Sequence, residues 1–86
     1  MYLEKFEGEW HGYFESLGKD IKELAVKKMQ KILLHPHKRH MLSGARFFVG
    51  ELGQYRIVYR VFEERMEVRF YFIGTHKEYE KWYSNL

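Results

Sequence analysis

A short C-terminal segment carries the side chains with the clearest chemical potential. His76, Lys77 and Tyr79 follow directly after the last strand-like run of the chain. Imidazole and phenol groups could move protons in RNA cleavage. RNA supplies its own nucleophile, the 2′-hydroxyl, so an RNase needs no serine, cysteine or metal. An ordinary helix start with an exposed histidine would explain the same residues, and the sequence leaves both readings open.

The strand-like runs before this segment carry arginines whose spacing puts them on one face of the predicted sheet. Arg56 and Arg60 are expected to share the outer face of a hairpin with Arg69, and Arg60 is expected to lie opposite Arg69. Directly opposed like charges destabilise a sheet. Such a face makes sense if it meets an anion, because arginine can hold a phosphate with two parallel hydrogen bonds. A nearby Glu51 or Glu67, or simple solvation, would also explain it.

A basic loop at residues 35–40 lies between the helical and strand-like parts of the chain. Residues 26–50 hold six Lys/Arg, three His and no acid, in a protein of net charge +3. Lys38 and Arg39 are predicted to contact phosphates or only water. The spacing of the three histidines suits no standard zinc site, so no metal is expected. RNA bound by this basic surface should be released by salt.

Several functional classes lack their sequence signatures. The chain has no phosphate-binding glycine loop, no dinucleotide fingerprint and no His-Glu-x-x-His. It contains no cysteine, which excludes disulfides and a thiol nucleophile. No apolar run approaches the length of a membrane span. We therefore expect no cofactor, no membrane partner and a cytoplasmic location.

The 86 residues are predicted to form one α+β domain, residues 1–86. The first helix ends near Leu17, although residues 2–6 could instead be a short strand. The second helix should span about 19–34, with Asp20 and Glu23 as a capping box and Pro36 just beyond its end. Strands are predicted at three segments, followed by a short helix: 46–50, 54–62, 66–73 and about 77–83.

The register of the last two strands follows from their apolar alternation. Opposed residue numbers that sum to 129 put both apolar sets on one face, with a loop at Glu63–Met66. The resulting pairs are Val61 with Val68, Tyr59 with Phe70, and Ile57 with Phe72. This face should be buried against Leu24, Met29, Ile32 and Leu33 of the second helix. These residues belong to its apolar stripe, which consists of Ile21, Leu24, Ala25, Met29, Ile32 and Leu33.

Several motifs together resemble the RelE/ParE superfamily of toxins from toxin–antitoxin modules. The most specific are Gln54-Tyr55-Arg56-Ile57-Val58-Tyr59 and Ile73-Gly74-Thr75-His76-Lys77-Glu78-Tyr79. Leu42-x-Gly44, Val49-Gly50-Glu51 and the helix end Ile32-Leu33-Leu34-His35-Pro36 add to the resemblance. The C-terminal segment is most similar to the HigB branch.

The resemblance implies a fold and an activity. The fold is an N-terminal helical hairpin packed on one face of a twisted antiparallel sheet of three to four strands, with a short C-terminal helix. The implied activity is metal-independent cleavage of mRNA on the ribosome by 2′-hydroxyl attack, blocked by a cognate antitoxin. Arg56 matches the family arginine that holds the scissile phosphate. His76 matches a basic or imidazole position, and Tyr79 or Tyr83 matches the C-terminal aromatic.

Two departures keep a second function open. Arg46 could fill the first of two basic positions that RelE has on the preceding strand, but Phe48 stands at the second, and the loop 50–54 is longer than usual. The ParE branch has the same fold, acts on gyrase and does not cut RNA. A ParE-like or degenerate member that acts only by binding protein or nucleic acid is therefore the alternative.

Overall fold

The computed structural model describes residues 1–38 and 46–86, and these form a four-stranded sheet with three α-helices. The described elements, in chain order, are β1 (Leu3–Phe6), α1 (Trp10–Glu15), α2 (Lys19–Leu34), a 3₁₀ turn (Pro36–Lys38), β2 (Phe48–Leu52), β3 (Tyr55–Phe62), a second 3₁₀ turn (Glu63–Arg65), β4 (Glu67–Thr75) and α3 (His76–Ser84). Among these residues, no helix is long and apolar enough to cross a membrane.

The sheet has the order β1-β4-β3-β2, which confirms the predicted α+β architecture. β2, β3 and β4 form an antiparallel meander. β1, the strand left open as an alternative at residues 2–6, pairs in parallel with the first half of β4. The expectation of a purely antiparallel sheet is therefore wrong at this one pair. Its cause is topological, since the two helices and two strands between β1 and β4 return the chain to the same end of the sheet.

Between β3 and β4, the predicted register, in which paired residue numbers sum to 129, holds over only half of the strand length. Tyr59 pairs with Phe70 and Val61 with Val68, and the loop spans Glu63–Met66 as predicted. A bulge between Val58 and Tyr59 then shifts the pairing, so that Ile73, and not Phe72, lies opposite Ile57. An inserted residue cannot be read from apolar alternation, because Phe72 and Ile73 are both apolar.

The hydrophobic core lies between α2 and the sheet face that carries Tyr59. Its fully buried centre is formed by Ala25, Ile57, Tyr59, Val68 and Phe70, and it includes Met29, Ile32, Leu33, Trp10 and Ile73. Val61 is only partly buried. The prediction for Leu24 is wrong, because its side chain is 47 % exposed and Ala25 occupies the sheet-facing position instead. We call the opposite side of the sheet the free face.

The two main helices begin differently. α2 begins after Gly18 with no side-chain cap, so the predicted capping box of Asp20 and Glu23 is wrong. α3 has a complete capping box: the Glu78 amide donates to the Thr75 hydroxyl, and the Thr75 amide donates to the Glu78 carboxylate. This satisfies two otherwise unpaired amides and fixes the first turn of α3 directly after β4.

Candidate functional site

Helix α3 lies against the free face at the end of β4. Trp82 stacks on Phe72 with ring centroids 5.5 Å apart and also meets Phe47 at 5.4 Å. Phe47 in turn lies beneath the Arg60 guanidinium, which places Trp82 and Arg60 on the same side of the sheet. Phe72 is thus buried under α3, with Tyr13 of α1 at its edge, and does not join the α2 core as predicted.

Three sequence-predicted residues form a row along α3. His76, Tyr79 and Tyr83 have the spacing of one helix face. The His76 and Tyr79 rings are 6.1 Å apart, and the Tyr79 and Tyr83 rings stack at 6.3 Å. The His76 amide donates to the Gln54 carbonyl at 2.8 Å, which anchors the row to the β2–β3 turn. The His76 imidazole is half-exposed, and its Nε2 lies 3.5 Å from the Glu80 carboxylate.

The phenol of Tyr79 is partly buried, and its surroundings disfavour ionisation. Burial raises the pKa of its phenol above the ordinary value of 10.0, and the neighbouring Tyr83 and Glu80 raise it further, while Arg56 acts in the opposite direction. The phenol stays protonated at neutral pH, as an ordinary tyrosine does, and its raised pKa makes it a weaker acid. Arg56 is near enough to act on the Tyr79 phenol electrostatically.

The guanidinium of Arg56 is held by its own hairpin turn. Its Nη1 donates to the carbonyls of Gly53 and Tyr55 at 3.0 and 2.9 Å, and its Nη2 lies 4.0 Å from a Glu51 carboxylate oxygen. The side chain is only 19 % exposed. These contacts fix the guanidinium beside α3, and they also occupy donors that a phosphate would use.

Two other arginines are paired with acids and share one buried carboxylate. Glu67 is 5 % exposed, and its two carboxylate oxygens lie 3.6 Å from Arg65 Nε and 3.2 Å from Arg69 Nη2. Arg69 is also 3.7 Å from a Glu7 carboxylate oxygen. The predicted opposition of Arg60 and Arg69 is confirmed, and Glu67 is the nearby acid that makes it tolerable.

The remaining predicted phosphate ligands differ in their surroundings. Arg60 has no carboxylate within 4.0 Å among residues 1–38 and 46–86, and it lies over the rings of Phe47 and Phe62. Arg46 is exposed and lines the same pocket as Arg60. Lys77 is exposed in the first turn of α3. Arg39 lies outside the described residues, and only the backbone of Lys38 is described, in the first 3₁₀ turn.

The histidine-rich loop is described only in part. Within the described residues, no three His, Asp or Glu side chains come together in a group that could hold a metal ion. His37 pairs with Glu63, which also accepts a hydrogen bond from the Tyr2 hydroxyl. His40 lies outside the described residues.

The predicted residues thus fall into two regions of one face. Arg56, His76, Tyr79 and Tyr83 meet at the β2–β3 turn. Arg60 is four residues further along β3, about 13 Å from Arg56 at the rise of an extended strand. The sequence analysis missed Phe47, which lies beneath the Arg60 guanidinium and meets the rings of Tyr71 and Trp82. A register for β2 would have found Phe47, because its neighbour Phe48 pairs with Tyr59.

Similar solved structures share this arrangement of elements. The isolated E. coli RelE toxin is 23 % identical, with a TM-score of 0.79 and 100 % coverage of both chains. The Mycobacterium tuberculosis toxin–antitoxin complex RelBE2 is 20 % identical, with a TM-score of 0.76 and coverage of 87 % of this chain and 98 % of the other. The Pyrococcus horikoshii RelE–RelB complex is 18 % identical, with a TM-score of 0.73 and coverage of 86 % and 93 %.

These likenesses define the class of fold. No protein-family model matches the chain, and no curated protein matches it significantly. The chain has the fold of the RelE toxins, so the fold that the motif resemblance implied is confirmed. The similarity to the HigB branch stays a prediction.

Proposed function

We propose that this protein is the toxin of a type II toxin–antitoxin system and that it cleaves mRNA on the ribosome. One observation carries the proposal: on a fold shared with RelE toxins, Arg56 lies within electrostatic reach of Tyr79, and His76 precedes Tyr79 by one helical turn. A guanidinium, an imidazole and a protonated phenol are the groups that a metal-independent RNase needs around a phosphate.

The proposed reaction uses only groups of the protein and the RNA. The 2′-hydroxyl oxygen attacks the adjacent phosphorus, and the bond from phosphorus to the 5′-oxygen of the next nucleotide breaks. The products are a 2′,3′-cyclic phosphate and a 5′-hydroxyl. His76 accepts the 2′-hydroxyl proton or donates one to the leaving oxygen, because an imidazole ring has nitrogens that can do either. Arg56 stabilises the charge that develops on the phosphate, and Tyr79 or Tyr83 stacks on a base or assists proton transfer.

The wider RNA surface and the partners complete the proposal. Five further cations would bind the RNA backbone: Arg46, Arg60, Lys77, Lys38 and Arg39. Arg69, which was predicted to join them, is instead paired with Glu67 and Glu7. The similar solved structures include RelB–RelE complexes, which supports an antitoxin as the protein partner. Action on translating ribosomes would place the protein in the cytoplasm.

A second function is supported by a specific contact. The Arg56 guanidinium already donates to two backbone carbonyls of its turn and faces Glu51. A ParE-like or degenerate toxin that binds a protein target would need no free arginine at this position. Cleavage requires the guanidinium to exchange these contacts for a phosphate when RNA arrives.

The deciding experiment incubates purified protein with translating ribosomes and maps the 3′ ends of the mRNA. Arg56→Ala and His76→Ala should each slow cleavage by roughly a hundredfold or more, the usual scale for a lost acid–base group. His11→Ala is the matched control, because His11 is an exposed histidine on α1. Full activity of His76→Ala would move the proton transfer to the tyrosines. A parent protein that never cuts mRNA would favour the ParE-like reading, which inhibition of gyrase would then test.

A further inference from the structure

A cluster of aromatic rings lies next to Arg60 on the free face. Phe47 is edge-on to Tyr71 at 5.0 Å and to Trp82 at 5.4 Å, measured between ring centroids. All three side chains are neither fully buried nor fully exposed. Packing of α3 explains Trp82, which also stacks on buried Phe72. It does not explain Tyr71, whose ring meets Phe47 and remains partly open to solvent.

The arginines around this cluster differ in whether an acid pairs with them. Glu67 and Glu7 together face Arg65 and Arg69, so the charge of these two arginines is largely compensated within the protein. Arg60 is flanked by rings, with its guanidinium carbon 5.9 Å from the centre of Phe47 and 4.8 Å from that of Phe62. Within the described chain, Arg60 and Arg46 form no ion pair within 4.0 Å, and Glu63 and Glu64 line the same pocket at a greater distance.

We infer that Phe47, Tyr71, Arg60 and Arg46 form a subsite for one nucleotide of single-stranded RNA, next to the proposed cleavage site. A base would stack on the open part of Tyr71 and Phe47, and the adjoining phosphate would bind Arg60 and Arg46. Aromatic rings alternating with guanidiniums are how proteins hold single strands. The inference rests on the proposed function only in taking RNA as the ligand.

The subsite has a consequence for selectivity. Stacking uses the face of a base, which every base has, so this nucleotide would be bound with little regard to sequence. Duplex RNA would be excluded, because its bases are already stacked on one another. The subsite therefore selects an unpaired strand and positions it.

The test measures binding of a fluorescent single-stranded oligoribonucleotide in which every sugar is 2′-O-methylated, so that cleavage is blocked. Tyr71→Leu should weaken binding about tenfold, because base stacking on an aromatic ring is lost. Tyr71→Phe keeps the ring and should bind like the parent. Arg60→Gln should weaken binding and lower the slope of log affinity against log salt by about 0.7, the value for one phosphate contact on a single strand.

Arg65→Gln is the matched control. Its guanidinium carbon lies 4.7 Å from the centre of the same Phe62 ring, but its charge is paired with Glu67, so the salt slope should not change. Thermal unfolding of each variant separates a lost contact from a lost fold. Parent-like binding by Tyr71→Leu, equal losses in Arg60→Gln and Arg65→Gln, or no binding by the parent would each overturn the inference. The assay measures binding of an oligonucleotide that cannot be cleaved, so it tests the subsite even if the protein proves to have no endonuclease activity.

Discussion

Replacing Gly74 by alanine tests whether α3 is fixed on the sheet as tightly as the proposed site requires. A Cβ at position 74 would lie 2.7 Å from Phe72 Cζ and 2.9 Å from Glu78 Oε1. Glu78 could move, but it would then lose its part in the capping box. Phe72 has little room to move, because its ring lies between Tyr13 and Trp82.

The size of the effect follows from these contacts. Overpacking of this kind typically costs 1–3 kcal/mol, so we expect Gly74→Ala to lower the free energy of unfolding by about 2 kcal/mol. For a domain of this length that corresponds to a fall in Tm of roughly 8–16 °C. Since α3 carries His76 and Tyr79, cleavage of mRNA should also fall at temperatures where the variant is still folded.

Gly12→Ala is the matched control, because the same substitution should have the opposite sign there. Gly12 lies within α1, and a Cβ at this position would meet no atom within 4 Å. Alanine favours the helix over glycine, so the free energy of unfolding should rise by up to about 1 kcal/mol. Urea unfolding monitored by tryptophan fluorescence measures both variants. A Gly74→Ala protein as stable as the parent would show that α3 does not pack against Phe72 as described.

Two further predictions concern tyrosines. Tyr59→Phe should destabilise the protein by about 1–2 kcal/mol in urea unfolding, because it leaves the buried Pro36 carbonyl without its 2.8 Å hydrogen bond; an unchanged midpoint would contradict this contact. Tyr79 has a raised pKa in the folded protein, so its contribution to stability should be complete below pH 10.0 and should be lost as the pH rises through the folded pKa. Subtracting the ultraviolet titration of Tyr79→Phe from that of the parent isolates this phenol, which should ionise above pH 10.0; a difference centred at the ordinary pKa would refute the prediction.

Periodicity predicted most of the elements but not the details of their contacts. The bounds of α2 at Lys19–Leu34 match the predicted 19–34, because its apolar stripe is long and ends before Pro36. The bulge next to Tyr59 leaves Tyr71 without a partner on β3. It could not be predicted, because Phe72 and Ile73 are both apolar and either could face the core. The exposed position of Leu24 was missed for a similar reason: Ala25 beside it satisfies the same helical spacing with a smaller side chain.

The sequence likewise predicted which residues form the candidate site but not what their side chains contact. Motif similarity placed Arg56, His76 and Tyr79 near one another, and the start of α3 after β4 brings them together. The sequence could not show that the Arg56 guanidinium is bound by its own turn, because backbone carbonyls carry no sequence signal. Nor could it show which of the other arginines are paired with an acid, because that depends on the position of the buried Glu67.

The burial of Glu67 also explains how this face tolerates so many arginines. Taken as a strand pattern, the opposition of Arg60 and Arg69 would be repulsive. Glu67 removes the conflict by taking the charge of Arg69, and Arg60 then lies among aromatic rings that attract a cation without neutralising it. A carboxylate beside Arg60 would have stabilised the sheet equally well but would have closed it to phosphate. The free face is therefore stabilised by a buried acid at Arg69, while Arg60 packs on aromatic rings and forms no ion pair within the described residues.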